Sequence, residues 1–139
     1  MIIRRALPAE VDAAFDIRRR VFMAEQGISE ADEFDGLDDQ AIHILAFVGD
    51  APAGTTRLFI NDGLGTIGRV AVLRENRGTG LGRELILYSM KELKSQGAHT
   101  AKLGAQVAAI GFYETLGFKV FGPEYLDADI PHRDMKCAL

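Results

Sequence analysis

Residues 77 to 83 read Arg-Gly-Thr-Gly-Leu-Gly-Arg, with glycines at alternate positions between two arginines. Fixed positive charge beside backbone stripped of Cβ atoms suits a diphosphate, whose oxygens can then reach the peptide N–H groups directly. The apolar residues that follow recur at helical spacing. The loop therefore feeds a helix whose first N–H groups lack intrahelical partners and carry the positive end of the dipole. Two familiar phosphate loops are excluded. No Gly-Lys pair occurs in the chain, as a P-loop requires. The G-x-G-x-G spacing, placed after a run of strands, differs from the G-x-G-x-x-G that opens a dinucleotide-binding βαβ unit. His132-Arg133-Asp134-Met135 matches part of a kinase catalytic loop, but no Asn follows it and the chain is too short for a kinase.

Other groups could also do chemistry. His132 follows Pro131, and an imidazole titrating near ~6.5 is suited to proton transfer at neutral pH. The alternative is a histidine hydrogen-bonded within the last strand. His43 lies between apolar strand residues and reads as structural, whereas His99, just past Gly97, reads as a surface residue. Cys137 is the only cysteine, so neither an internal disulfide nor a cysteine-based metal cluster can form, and no metal site is expected.

Charge is unevenly spread. The net charge of −4 argues against a nucleic-acid surface, which needs a concentrated basic face. No Lys or Arg lies between Arg20 and Arg57, while Glu25, Glu30, Asp32, Glu33, Asp35, Asp38, Asp39 and Asp50 all do. This stretch reads either as a solvated acidic loop or as a lure for a cationic substrate. Arg18, on the apolar stripe of the first helix, is expected to snorkel its head group to water.

The elements that must position these groups follow from period and punctuation. A chain of 139 residues with 47% hydrophobic content fits one soluble domain over 1–139. No apolar run reaches the ~18 residues of a membrane span, and no signal-peptide pattern precedes the first strand, so a cytoplasmic protein is expected. Residues 2–6 read as a strand, and a helix runs from Pro8 to a stop at Gly27. Three strands follow, within 41–50, 53–62 and 66–73, turning at Gly49-Asp50 and around Gly63. A helix from Gly80 to Gly97, a strand at 100–106, a short helix ended by Gly117 and two further strands complete the order. The pattern βα, three strands, α, β, α, β, β predicts a mixed α/β sheet.

Two of these segments carry a family resemblance. Arg77, Gly80 and Gly82, preceded by Val70-Ala71-Val72, resemble the R/Q-x-x-G-x-G/A signature of the GNAT superfamily of acyl-CoA N-acetyltransferases. Residues 106 to 118, QVAAIGFYETLGF, are similar to its N-x-x-A-x-x-F-Y-x-x-x-G-F segment, with Gln106 where asparagine is more usual. The resemblance implies a mostly antiparallel sheet of about seven strands, splayed between the fourth and fifth, with acetyl-CoA in the splay. It implies pantetheine along Val70, Ala71 and Val72, the pyrophosphate on Arg77, Gly78, Thr79, Gly80, Leu81, Gly82 and Arg83, and Gln106 beside the cofactor. It assigns Tyr113 to return a proton to the leaving thiolate, and backbone N–H groups near Val72 to hold the oxyanion.

The ending Pro131-His132-x-x-Met135 is similar to that of a small bacterial subgroup of stand-alone GNAT proteins that includes glyphosate N-acetyltransferase. There the matching histidine is the base, which would make His132 catalytic. By the same resemblance Arg69 would hold an anionic substrate group. Glu25 would line the acceptor site, unless it is a solvent carboxylate at a helix end. Because Gln106 replaces a subgroup arginine, glyphosate itself does not follow. The expected reaction is acetyl transfer to the primary amine of a small molecule, by direct attack in a ternary complex. An amine with one carboxylate could use Arg69, while a polyamine would prefer the acidic loop. The rival is a sensor that binds acyl-CoA without transferring it. A homodimer is possible, although nothing in the chain selects an interface.

Overall fold

The computed structural model describes residues 1–139. Strands β1 (Ile2–Arg5), β2 (Ile42–Val48), β3 (Ala51–Asn61), β4 (Leu64–Val72), β5 (Thr100–Gln106), β6 (Lys119–Asp127) and β7 (Ile130–Ala138) form one sheet in the order β1-β2-β3-β4-β5-β7-β6. Every neighbouring pair is antiparallel except β4 and β5. Helices α1 (Val11–Arg18), α2 (Glu30–Glu33), α3 (Leu81–Ser95) and α4 (Ile110–Glu114) flank it. No helix is long and apolar enough to cross a membrane.

The first helix departs from the sequence expectation. Pro8–Glu10 form a 3₁₀ turn, α1 follows, and Arg19–Glu25 widen into a π segment before Gly27 ends the run with φ +72°. Such widening shifts which residues face inward, and insertions of this kind often sit at functional sites. The acidic stretch is also more ordered than a solvated loop. Ser29 caps α2 by accepting the Asp32 N–H at 3.1 Å.

Alternating strand residues serve two cores. Ile44, Leu58 and Ile67 pack with Leu81, Leu85 and Leu93 of α3, whereas Leu45, Ala71 and Leu73 pack with Ala14, Ile17, Val21 and Phe22 on the opposite face. Ile67 and Ala71 are four apart on one strand, so an unbroken pleat would put them on the same face. A bulge separates them: Gly68 pairs with Arg57 and Ala71 with Thr55, so Thr56 stands against both Arg69 and Val70. Arg69 takes the strain, at φ +48°.

β4 and β5 pair only through Leu64–Thr66 with Thr100–Lys102. Beyond Thr66 the two strands part.

Candidate active site

The parting of β4 and β5 opens a cavity of about 380 Å³ whose lining includes Ile67, Val70, Leu103 and Tyr113 from the α3 side of the sheet, and Phe22, Gln26, Arg57 and His132 from the other. From Ile67 on, β4 has no strand partner on its β5 side, so Val70, Ala71 and Val72 present an edge that no strand covers.

That edge leads into the glycine-rich loop. Gly78 and Gly80 have φ of +75° and +85°, and a Cβ built on either meets nothing within 4 Å. Backbone conformation and open approach, rather than crowding, therefore call for glycine here. Thr79 Oγ1 donates to the Asn76 carbonyl at 2.7 Å and tightens the turn. Glu84 is the first N–H of α3's opening to find a carbonyl, that of Gly80 at 3.1 Å, so residues 78 to 83 present a cluster of free donors at the positive end of a 15-residue helix. Arg83 is exposed beside them. Arg77 is not free: Nε donates to the Val72 carbonyl at 3.0 Å and Nη2 pairs with Glu25 at 2.8 Å.

Glu25 is therefore found away from its expected place. It holds Arg77 at the loop, while its neighbour Gln26 faces the cavity and accepts a 2.9 Å hydrogen bond from Gln106 Nε2 at the end of β5. The π segment ends on Glu25 and Gln26 caps it, so the two neighbours reach different partners, Arg77 and Gln106.

Tyr113 projects from α4 and is nearly buried. Burial pushes its phenol up to about 12. No side chain or carbonyl hydrogen-bonds its hydroxyl, leaving the proton available to a group in the cavity. His132 faces that cavity from β7, with Nδ1 at 2.6 Å from the Ile130 carbonyl. A carbonyl only accepts, so Nδ1 carries the hydrogen and Nε2 carries the lone pair. The hydrogen bond within the strand is thus present, and it leaves Nε2 of the neutral ring without a partner in the protein.

Arg69 stands on the cavity wall with its guanidinium already engaged by the protein. It donates to the backbone carbonyls of Glu33 (3.0 Å) and Asp32 (3.3 Å) and pairs with Glu33 Oε2 at 3.1 Å. Its guanidinium ties the acidic segment to the bulge instead of standing free for a substrate. Arg18, expected to reach water, is 1% exposed and pairs with Glu33 (2.8 Å) and Asp38 (2.7 Å). Arg57 completes the network with two 2.9 Å bonds to Asp35 and one of 3.2 Å to Asp38. Three arginines thus neutralise Glu33, Asp35 and Asp38, which weakens the case for a long-range acidic lure. Sequence reasoning missed Arg57, and no local signal pointed to it, because its partners lie 19 and 22 residues away. Tyr125 and Asp127, also on the cavity wall, were missed as well.

His43 behaves as expected of a structural residue: it is buried, with Nε2 at 3.0 Å from the Asp38 carbonyl and its ring edge-on to Phe15. His99 is exposed and contacts Thr100 Oγ1 at 2.9 Å.

A half-parallel strand pair that splays, a bulged β4 and an anion-binding helix start at its end together define an acyl-CoA-dependent transferase fold. The family model for the GNAT acetyltransferase domain matches residues 19–139, and the chain belongs to that family. It is 36% identical over 123 residues to the uncharacterized N-acetyltransferase YjcF of Bacillus subtilis (strain 168), covering 88% of each chain. An acyl-CoA N-acyltransferase structure from Pseudomonas aeruginosa superposes with TM-score 0.86 at 28% identity, covering 99% of this chain and 97% of that one. An aminoglycoside 6'-N-acetyltransferase solved with coenzyme A superposes with TM-score 0.78 at 19% identity, covering 99% and 97%, a likeness of fold. The family uses acetyl-CoA as acyl donor, and the free N–H cluster at 78–83 and the open edge of β4 fit its diphosphate and pantetheine.

Proposed function

We propose that this acetyltransferase moves an acetyl group from acetyl-CoA to the primary amine of a small molecule by direct attack in a ternary complex. The observation that carries the reading is that His132 and Tyr113 line the one cavity that opens where β4 and β5 part.

Acetyl-CoA supplies an activated thioester carbonyl. The acceptor arrives as an ammonium, because alkyl amines titrate near ~10, and it must lose a proton before it can attack. His132 Nε2, with Nδ1–H held on the Ile130 carbonyl, accepts that proton. The carboxylates of Asp32 and Asp127 line the cavity and pair with no basic side chain, which suits a cationic acceptor better than an anionic one. Backbone N–H groups on the open edge of β4, near Val72, stabilise the charge that develops on the carbonyl oxygen. Tyr113 returns a proton to the leaving sulfur. A phenol held near 12 keeps its proton at rest, and because a thiol ordinarily titrates near ~8.5 the transfer is uphill, so it has to be coupled to collapse of the tetrahedral adduct as the sulfur leaves. Cys137 lies on β7 with Sγ donating to the Ala138 carbonyl at 3.4 Å, with no basic partner, and takes no part as nucleophile.

The test is thiol release from acetyl-CoA across a panel of primary amines for wild type, Tyr113→Phe and His132→Ala. Release by wild type, with both variants binding acetyl-CoA normally but turning over slowly, supports the reading. Binding without release above background by any of the three, with any amine, replaces it with a non-catalytic acyl-CoA sensor.

A further inference from the structure

The His132 ring is half-buried and makes one hydrogen bond to the protein, so something else must fix it. Tyr125 stands directly opposite it in the β6–β7 register. The two rings are stacked, with centroids 5.9 Å apart and planes 21° from parallel. Tyr125 is anchored at its far end, where its hydroxyl donates to Asp134 Oδ1 at 2.7 Å. Asp134 lies two residues beyond His132 on the same face of β7, and its other oxygen is 3.7 Å from Lys102 Nζ on β5. Gly104 pairs with Asp134 across β5 and β7, and a Cβ there would stand 2.6 Å from the Tyr125 oxygen. The glycine makes room for a phenol lying across the sheet. β5, β6 and β7 thus each contribute to one device.

From this arrangement we infer that Tyr125 is a positioning residue that holds the His132 imidazole with Nε2 facing the acceptor amine. The inference rests on the assignment of His132 as base. Stacking restricts rotation about the last side-chain torsion, and the Ile130 carbonyl then selects the tautomer. Without the stack the ring swings away from the carbonyl and Nε2 loses both its aim and its lone pair. Tyr125 touches neither reacting atom. Its contribution is orientation, and small errors of placement are costly in transfer reactions.

The test compares Tyr125→Leu, Tyr125→Phe and Gly104→Ala. Imidazole ¹⁵N signals report the tautomer and steady-state kinetics report the rate. In wild type His132 gives the pattern of a single Nδ1–H tautomer. Tyr125→Leu mixes the tautomers and lowers kcat about tenfold, with KM for acetyl-CoA unchanged. Tyr125→Phe, which keeps the ring and loses the anchor, falls less. Gly104→Ala drives the phenol off its seat without touching His132 and moves both readouts in the direction of Tyr125→Leu. A single tautomer and an undiminished kcat in both Tyr125→Leu and Gly104→Ala overturn the inference. Tautomer mixing in Tyr125→Leu together with a wild-type rate in His132→Ala upholds the ring-holding role and removes His132 as base instead.

Discussion

At the scale of single residues, proton positions are set by what each side chain touches. Tyr113 keeps its proton because burial disfavours the phenolate, so replacing it should affect turnover more than binding. Tyr113→Phe is expected to lower kcat about a hundredfold while acetyl-CoA affinity, measured by calorimetry, stays within error. Arg69→Ala should act on the scaffold. It removes the donors to two loop carbonyls and one partner of the buried Glu33, a loss of about 1–3 kcal/mol in denaturant unfolding. The motif residues were legible in sequence because their geometry is local: Gly78 and Gly80 set a turn, and His132 bonds a carbonyl two residues away. Arg18 was not legible. An arginine on an apolar stripe ordinarily reaches water, and only Glu33 and Asp38, 15 and 20 residues away, allow it to be buried. Tyr125 escaped notice for a similar reason, since its meaning comes from a register across two strands that no short window of sequence encodes.

Between elements, the bulge in β4 decides what faces the cleft. By inserting one residue opposite Thr56 it reverses the pleat, so Val70 and Val72 join the core under α3 while Ala71 and Leu73 join the one under α1. The element order and the strand-to-helix loop were readable from period and glycine placement. The bulge was not, because residues 66–73 read as one strand and the strain falls on Arg69 rather than on the neighbouring Gly68, although arginine has no preference for positive φ. The loop gives an element-level prediction. Gly80→Val forces a β-branched residue to φ +85° and should abolish detectable acetyl-CoA binding, whereas Arg77→Ala should weaken it only a few-fold, because Glu25 already occupies that guanidinium. Calorimetry on both variants checks the order. Equal losses would mean that side-chain charge, rather than the backbone donors, grips the diphosphate.

Across the whole molecule, the six-membered ion network joins α1, α2, β3 and β4, with Glu33, Arg57 and Arg69 on the cavity wall. Arg57 holds the Asp35 carboxyl well below the ordinary range. Burial alone would raise Asp38, but Arg18 and Arg57 outweigh it and leave that group lowered as well. Glu33 goes the other way, because burial outweighs its arginines. For the two aspartates the unfolded chain binds protons first. Their stabilisation is therefore complete above the ordinary aspartate value near ~4 and is lost as pH falls through the folded values. The thermal midpoint should drop steeply below about pH 4, and Asp35→Asn should lower it at neutral pH while flattening the acid slope. High salt should weaken the exposed Asp35 pairs more than the buried Arg18–Glu33 pair. The placement of β7 between β5 and β6 has a consequence for synthesis. Both neighbours are made before the strand that separates them, so β5 must wait with an unpaired edge until residues 130–138 arrive. The histidine proposed as base rides on that late arrival, so a nascent chain halted before it would hold the glycine loop complete and yet have no means of activating an amine.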